Sequence, residues 1–178
     1  FYAEEFEHTM YNALMATMKN DGSQISKYSP LEGRRQPGEE QCGMHINCCN
    51  ANGPRGFALI PKTACTIKDN HIYLNLYLPL QATISLNKKN KVHLNVESDY
   101  PIHGKVNVNI GVQKKEKFTL ALRIPTQIEK MKAYINGEEQ EITHKGGYLY
   151  IERIWENADK VTLDFKIETK VVKLNNSQ

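Results

Sequence analysis

The hydrophobic pattern of the chain changes period once. Over residues 3–19, Phe6, Met10, Ala13, Leu14 and Met18 recur at steps of three or four, a spacing that predicts an amphipathic helix. Glu4, Glu5 and Glu7 load its N-terminal end, where the helix dipole favours negative charge. Asn20-Asp21-Gly22 ends it, with Gly22 suited to a left-handed C-terminal position. An apolar helix face needs a partner, and the segment that follows offers little. Residues 21–43 carry Pro30, Gly33, Pro37, Gly38 and Gly43 and hold no sustained period. They read as a long loop with a short strand at 24–28. Residues 50–60 predict a short helix, capped by Asn50 or Asn52 and weakened by Gly53-Pro54 and Gly56.

From residue 63 the period falls to two. Residues 63–68 and 71–78 flank Asp69-Asn70 as a hairpin, with Tyr73, Asn75 and Tyr77 alternating against Leu74, Leu76 and Leu78. Strands follow at 82–86, 91–97, 105–112 and 117–124. In the third of these runs Val106, Val108, Ile110 and Val112 alternate with Asn107, Asn109 and Gly111, one dry face and one wet. Asn136-Gly137 is a strong hairpin signal between 133–135 and 138–142. Segments 148–152 and 160–173 complete the set. Many short strands without intervening helices predict a mainly β chain, an antiparallel β-sandwich of jelly-roll type. The expected division is a helical segment 1–62 followed by a β-sandwich 63–178. Trp155 and Cys65 are assigned to packing.

Composition narrows the classes without choosing one. The 178 residues are 40% hydrophobic and 24% charged, near the average for a globular protein. The net charge of +3 is small and the basic residues are scattered, so no nucleic-acid partner is implied. Lys88-Lys89-Asn90-Lys91 and Lys114-Lys115-Glu116-Lys117 read as charged hairpin tips. No apolar run is long enough to span a bilayer, and four cysteines are too sparse for a disulfide scaffold. The chain opens on Phe1 without an initiator methionine, and is expected to be a piece of a longer protein.

The candidate chemistry is concentrated between Glu39 and Gly56, which holds Cys42, His45, Cys48, Cys49, Asn52 and Arg55. Adjacent cysteines rarely bond each other, because the small ring fits disulfide geometry badly. A Cys-Cys pair near His and Glu points to soft-metal ligation or thiolate chemistry. Plain packing of small buried thiols is the competing reading.

Five stretches, in order, carry a resemblance. They are Tyr2-Ala3-Glu4-Glu5-Phe6-Glu7-His8-Thr9-Met10-Tyr11-Asn12-Ala13; Tyr28-Ser29-Pro30-Leu31-Glu32; Asn47-Cys48-Cys49-Asn50-Ala51-Asn52-Gly53-Pro54-Arg55-Gly56; Ile72-Tyr73-Leu74-Asn75-Leu76-Tyr77; and Asp99-Tyr100-Pro101 with Leu120-Ala121-Leu122-Arg123-Ile124-Pro125. Together they resemble the C-terminal portion of glycoside hydrolase family 127, typified by β-L-arabinofuranosidases. The resemblance implies an (α/α)6 barrel in the whole protein, of which residues 1–62 would be the last part. It also implies a zinc ion held by thiolates and a glutamate. Cys48 resembles the nucleophile and Cys49 the neighbouring zinc ligand, and zinc would keep the sulfur anionic. A glutamic acid would protonate the leaving oxygen and later activate water.

Two departures follow from the same resemblance. The family's remaining zinc ligands, a glutamate and a cysteine, and its acid/base glutamate lie upstream of residue 3. A cysteine common two residues before the pair is Ile46 here, while Cys42 stands further upstream. His45, Cys42, Asn52 and Arg55 are candidate ligand or sugar contacts. The expectation is a chain that binds zinc weakly and is inactive by itself, from a parent acting on plant arabinofuranose-containing glycans outside the cytoplasm. Apolar surface on residues 3–19 would favour homo-oligomers. A second class, a non-catalytic carbohydrate-binding or structural sandwich, would use Tyr73, Tyr77, Tyr148 and Tyr150 on one sheet face. A thiol-redox protein ranks last, because no Cys-x-x-Cys is present.

Overall fold

A computed structural model describes residues 2–26, 32–33, 48–86, 90–142 and 144–169. The chain divides into two units, Phe1–Thr66 and Ile67–Gln178.

The first unit begins with helix α1 (Tyr2–His8), which runs into a π-helical segment (Thr9–Leu14) and a final turn, α2 (Met15–Thr17). The periodicity located the helix but not its whole buried face. Met10 is buried as expected, Ala13 is exposed, and Glu4 and Glu7 are buried beside Met10 at helical spacing. Gly22 has the expected positive φ (+71°) but does not end the helix: the helix stops at Thr17 with Met18 already extended, and Gly22 lies in the turn that leads from Met18 back to its bridge partner Ile25. Of the strand expected at 24–28, a single antiparallel bridge joins Ile25 to Met18; the stretch from residue 27 lies outside the described residues.

Helix α3 (Cys48–Ala64) is longer than the sequence predicts and contains Pro54 and Pro61. Its glycines are contact points. A Cβ on Gly53 would lie 1.9 Å from Ile25 Cδ1, and one on Gly56 would lie 2.9 Å from Leu14 Cδ1. The propensity lost at each glycine, about 1 kcal/mol, goes with a close approach at which a Cβ would displace the tip of Ile25 or of Leu14.

The second unit is a sandwich of two sheets. The five-stranded sheet has the order β1-β2-β6-β10-β9, built from β1 (Cys65–Lys68), β2 (His71–Leu74), β6 (Glu116–Arg123), β9 (His144–Lys145) and β10 (Tyr148–Trp155). The six-stranded sheet has the order β3-β4-β5-β11-β7-β8, from β3 (Leu80–Ser85), β4 (Lys91–Ser98), β5 (Lys105–Val112), β7 (Met131–Ile135), β8 (Glu138–Gln140) and β11 (Asp159–Phe165). The expected β-sandwich is borne out, with one departure: β2 runs parallel to β6, whereas β6 and β10 are antiparallel. A parallel neighbour needs a crossover, and β3, β4 and β5 of the other sheet supply it.

Period-two alternation builds the core. Val106, Val108, Ile110 and Val112 face inward from β5, opposite Leu94 and Val96 of β4 and Val161 and Leu163 of β11 in the same sheet's dry face. Ile72, Leu74, Phe118, Leu120, Leu122, Leu149 and Ile151 supply the other dry face. Each such side chain, fully buried, contributes about 1.5–3 kcal/mol. Trp155 is fully buried, stacked on Phe118 at 5.5 Å, and its indole N–H donates to the Phe118 carbonyl at 3.0 Å. Asn136 (φ +53°) and Gly137 (φ +89°) form the hairpin turn between β7 and β8. The strand expected at 71–78 ends at Leu74, although Leu76 and Tyr77 stay buried.

Candidate functional site

The chemistry-bearing residues of α3 lie on its first two turns. Cys48 is exposed and Cys49 half-buried, with sulfurs 4.0 Å apart. Asn52 stands one turn on and donates from Nδ2 to the Cys48 carbonyl at 3.0 Å. Arg55 follows and donates from Nη1 to Asn52 Oδ1 at 3.1 Å. Cys48, Asn52 and Arg55 thus form one exposed stripe at i, i+4 and i+7, tied along its length by hydrogen bonds. Cys49, Gly53, Gly56, Phe57 and Ile60 make the less exposed side.

Two sulfurs sharing a tetrahedral zinc, each about 2.3 Å from it, lie roughly 3.8 Å apart. The observed 4.0 Å fits two of four ligands. Among the described residues no third Cys, His, Asp or Glu joins them. Cys42 and His45 lie outside the described residues. The remaining thiol is of a different kind: Cys65 is half-buried, not in the core proper, and burial pushes it up to about 11, which keeps it protonated and inert.

Sequence reasoning missed two parts of this unit. Asn50 does not cap α3 but lies within it, and its Oδ1 accepts from the Ile25 backbone N–H at 2.9 Å. That bond, with the Gly53 contact, ties the turn after α2 to the cysteine-bearing helix. The other part is the pair of buried carboxylates, Glu4 and Glu7, of which Glu4 lies 3.5 Å from His8 Nε2. Their i, i+3 spacing with Met10 is the available signal, hidden when all three N-terminal glutamates are assigned to the helix dipole.

In the sandwich, the tyrosines assigned to one face separate. Tyr77 is buried, its ring 5.2 Å from Phe165, and its hydroxyl donates to the Arg123 carbonyl. Tyr73, Tyr148 and Tyr150 do share the outer face of the five-stranded sheet, with His71. Tyr73 and Tyr150 flank Ala121 across the strands, leaving it fully buried. Tyr73 meets Tyr148 and Tyr150 edge to face at 5.5 and 6.4 Å. Tyr148 donates its hydroxyl to Asn75 Oδ1 at 2.7 Å, and Arg123 donates from Nε to the Asn75 carbonyl at 2.6 Å. Burial holds the Tyr148 and Tyr150 phenols above their ordinary value.

No helix among the described residues is long and apolar enough to cross a membrane. The model of the GH127 middle domain of β-L-arabinofuranosidases matches residues 71–167. A GH127 β-L-arabinofuranosidase from Geobacillus stearothermophilus T6 superimposes with a TM-score of 0.83 at 27% identity, covering 98% of this chain and 29% of its own. A structure described as a glycoside hydrolase gives 0.80 at 28% identity, over 93% of this chain and 29% of its own. A GH127 β-arabinofuranosidase gives 0.78 at 28% identity, over 92% and 28%. The chain therefore spans under a third of the length of these relatives. No curated protein matches it by sequence.

Proposed function

The chain belongs to glycoside hydrolase family 127, and on that premise we propose that it is part of a zinc-dependent retaining arabinofuranosidase-like enzyme whose nucleophile is Cys48. The observation that carries this reading is the exposed Cys48 sulfur, 4.0 Å from that of Cys49 at the start of α3. Cys48 and Cys49 would hold the zinc, together with ligands from sequence upstream of this chain. Bound zinc supplies positive charge that keeps the sulfur as thiolate at neutral pH. Cys48 then needs no separate base.

In the first step the Cys48 sulfur attacks the anomeric carbon, the glycosidic C–O bond breaks, and a glutamic acid outside this chain protonates the departing oxygen. In the second, that carboxylate takes a proton from water as the water oxygen attacks the same carbon. The C–S bond breaks and Cys48 returns to its starting state. Asn52 and Arg55 line the same helical stripe and offer an amide and a guanidinium to sugar hydroxyls. The substrate class is a neutral furanose-bearing plant glycan, and the 178-residue chain alone is inactive.

The test is metal analysis and a chromogenic β-L-arabinofuranoside assay on this chain and on the chain extended upstream. The expected result is turnover and stoichiometric zinc in the extended protein only. Turnover is lost in Cys48→Ala, and zinc in Cys49→Ala. Retained activity in extended Cys48→Ala would eliminate the nucleophile assignment, and turnover by the present chain would eliminate the need for upstream residues.

A further inference from the structure

The outer face of the six-stranded sheet carries an open trough that the Cys48–Cys49 chemistry does not use. Its volume is about 330 Å³, and it runs over β3, β4, β5 and the turn before β11. That size lies at the small end of ligand pockets, roughly 300–1,000 Å³. The strand register explains its composition. One row across the sheet reads Thr83, His93, Gly111, and the next reads Gln81, Asn95, Asn109. Asn157, from the turn before β11, closes one end. Among the described residues that line it, none is Asp, Glu, Lys or Arg.

Each of these features bears on the ligand. Asparagine is depleted in strands, yet here Asn95 and Asn109, with Gln81, occupy neighbouring positions on three adjacent strands. An amide offers donors and an acceptor together, which matches a hydroxyl on both counts. Much of that capacity is unspent: Gln81 has no side-chain partner among the described residues. Asn95 and Asn109 both donate from Nδ2 to Glu97 Oε1, at 3.3 and 3.4 Å, leaving their carbonyl oxygens open. His93 is fixed by a 2.9 Å bond between Nδ1 and Thr83 Oγ1, so its ring stands as a wall. Gly111 sits beside that wall, where a Cβ would come 3.3 Å from His93 Cβ. The missing side chain makes the floor on which a ring can lie.

We infer that this trough is a neutral-saccharide binding site: the amides of Gln81, Asn95 and Asn109 hydrogen-bond ring hydroxyls, and the sugar lies over Gly111 against His93. No cation lines the trough among the described residues, and the Glu97 carboxylate that holds Asn95 and Asn109 disfavours uronic acids and phosphosugars. The site goes beyond the catalytic reading and does not depend on it.

The test is a titration of the isotope-labelled 178-residue chain with neutral arabino-oligosaccharides, using oligogalacturonate as the charged counterpart, followed by amide NMR. The expected result is saturable shifts at residues 81–83, 93–95, 109–111 and 157–158 with the neutral sugar only. Gln81→Ala, on the edge strand β3, weakens binding about tenfold, the loss of one good hydrogen bond. Gly111→Val abolishes binding while the folded spectrum persists. If Gly111→Val unfolds the sheet, Gln81→Ala and Asn109→Ala decide alone. The proposal is overturned by an absence of saturable shifts, by equal response to the charged sugar, or by shifts centred on Tyr73 and Tyr150.

Discussion

The two outward faces of the sandwich obey the same alternation and end in opposite states. Beside the exposed Lys117–Glu152 pair and Ile154, the outward residues of β2, β6 and β10 on the five-stranded sheet are His71, Tyr73, Thr119, Ala121, Arg123, Tyr148 and Tyr150. They consume one another: rings meet edge to face, Tyr148 and Arg123 converge on Asn75, and β6 is buried on both sides. On the six-stranded sheet the outward positions that make the trough on β3, β4 and β5 are amides, a hydroxyl, an imidazole and a glycine, flanked by Lys91, Glu97 and Lys160. Amides spaced across strands leave acceptor atoms over. Large side chains close a sheet face by themselves; short polar ones leave it ready for something else.

The comparison breaks first at Arg123. Arg123→Ala leaves the Asn75 carbonyl without that donor and removes the stem packed beside Tyr148. It should cost about 2–4 kcal/mol in urea unfolding. Tyr73→Ala uncovers Ala121 and deletes three ring contacts, for a loss of about 2 kcal/mol. A loss below about 0.5 kcal/mol would mean that face is solvated and not packed.

A smaller effect appears with alkali. Burial raises the Tyr148 and Tyr150 phenols, so the fold favours their neutral forms. Their contribution is complete below the unfolded value of about 10 and is lost as pH rises through the higher folded value. Tyr148→Phe should flatten that alkaline decline in a thermal-stability profile. An unchanged slope would place the titration elsewhere. On the acid side, burial pushes the Asp159 carboxyl up, but the Glu156 N–H, the Asn136 amide and the Arg153 guanidinium outweigh it and hold it below the usual carboxylate range. Its share of stability is present above about pH 4 and falls away through the lower folded value; Asp159→Asn should remove that acid limb.

The smallest effect is on the amide face. Gln81→Ala should change stability by less than about 0.5 kcal/mol, while binding, if measured in parallel, responds. A large stability loss there would mean the amides serve the fold and not a ligand.

How much of this was legible follows the same division. Strand β5 was readable residue for residue, because Val106 to Val112 alternate without interruption. The Asn136-Gly137 turn was readable because both residues take positive φ there. The partner of β2 was not, since local alternation is silent on which distant strand lies alongside. Helix α3 was under-read because Gly53, Gly56 and Pro54 lower propensity, and the close approaches that justify the glycines involve Ile25 and Leu14, far away in sequence. Tyr77 was grouped with Tyr73 by parity, an argument that fails once the strand ends at Leu74. Asn52 and Arg55 beside Cys48 were legible as a cluster; their shared stripe needed the helix.

The parallel contact of β2 with β6 has an outcome for how the unit is held together. The chain lays β1 and β2, leaves for β3 to β5, returns for β6, departs for β7 and β8, comes back for β9 and β10, and finishes with β11. Cut between β5 and β6, the two halves would each own strands of both layers. The seams left open would be β2 against β6 and β5 against β11. Neither layer can be peeled away whole, so the sandwich is laced like a shoe and should melt in a single event.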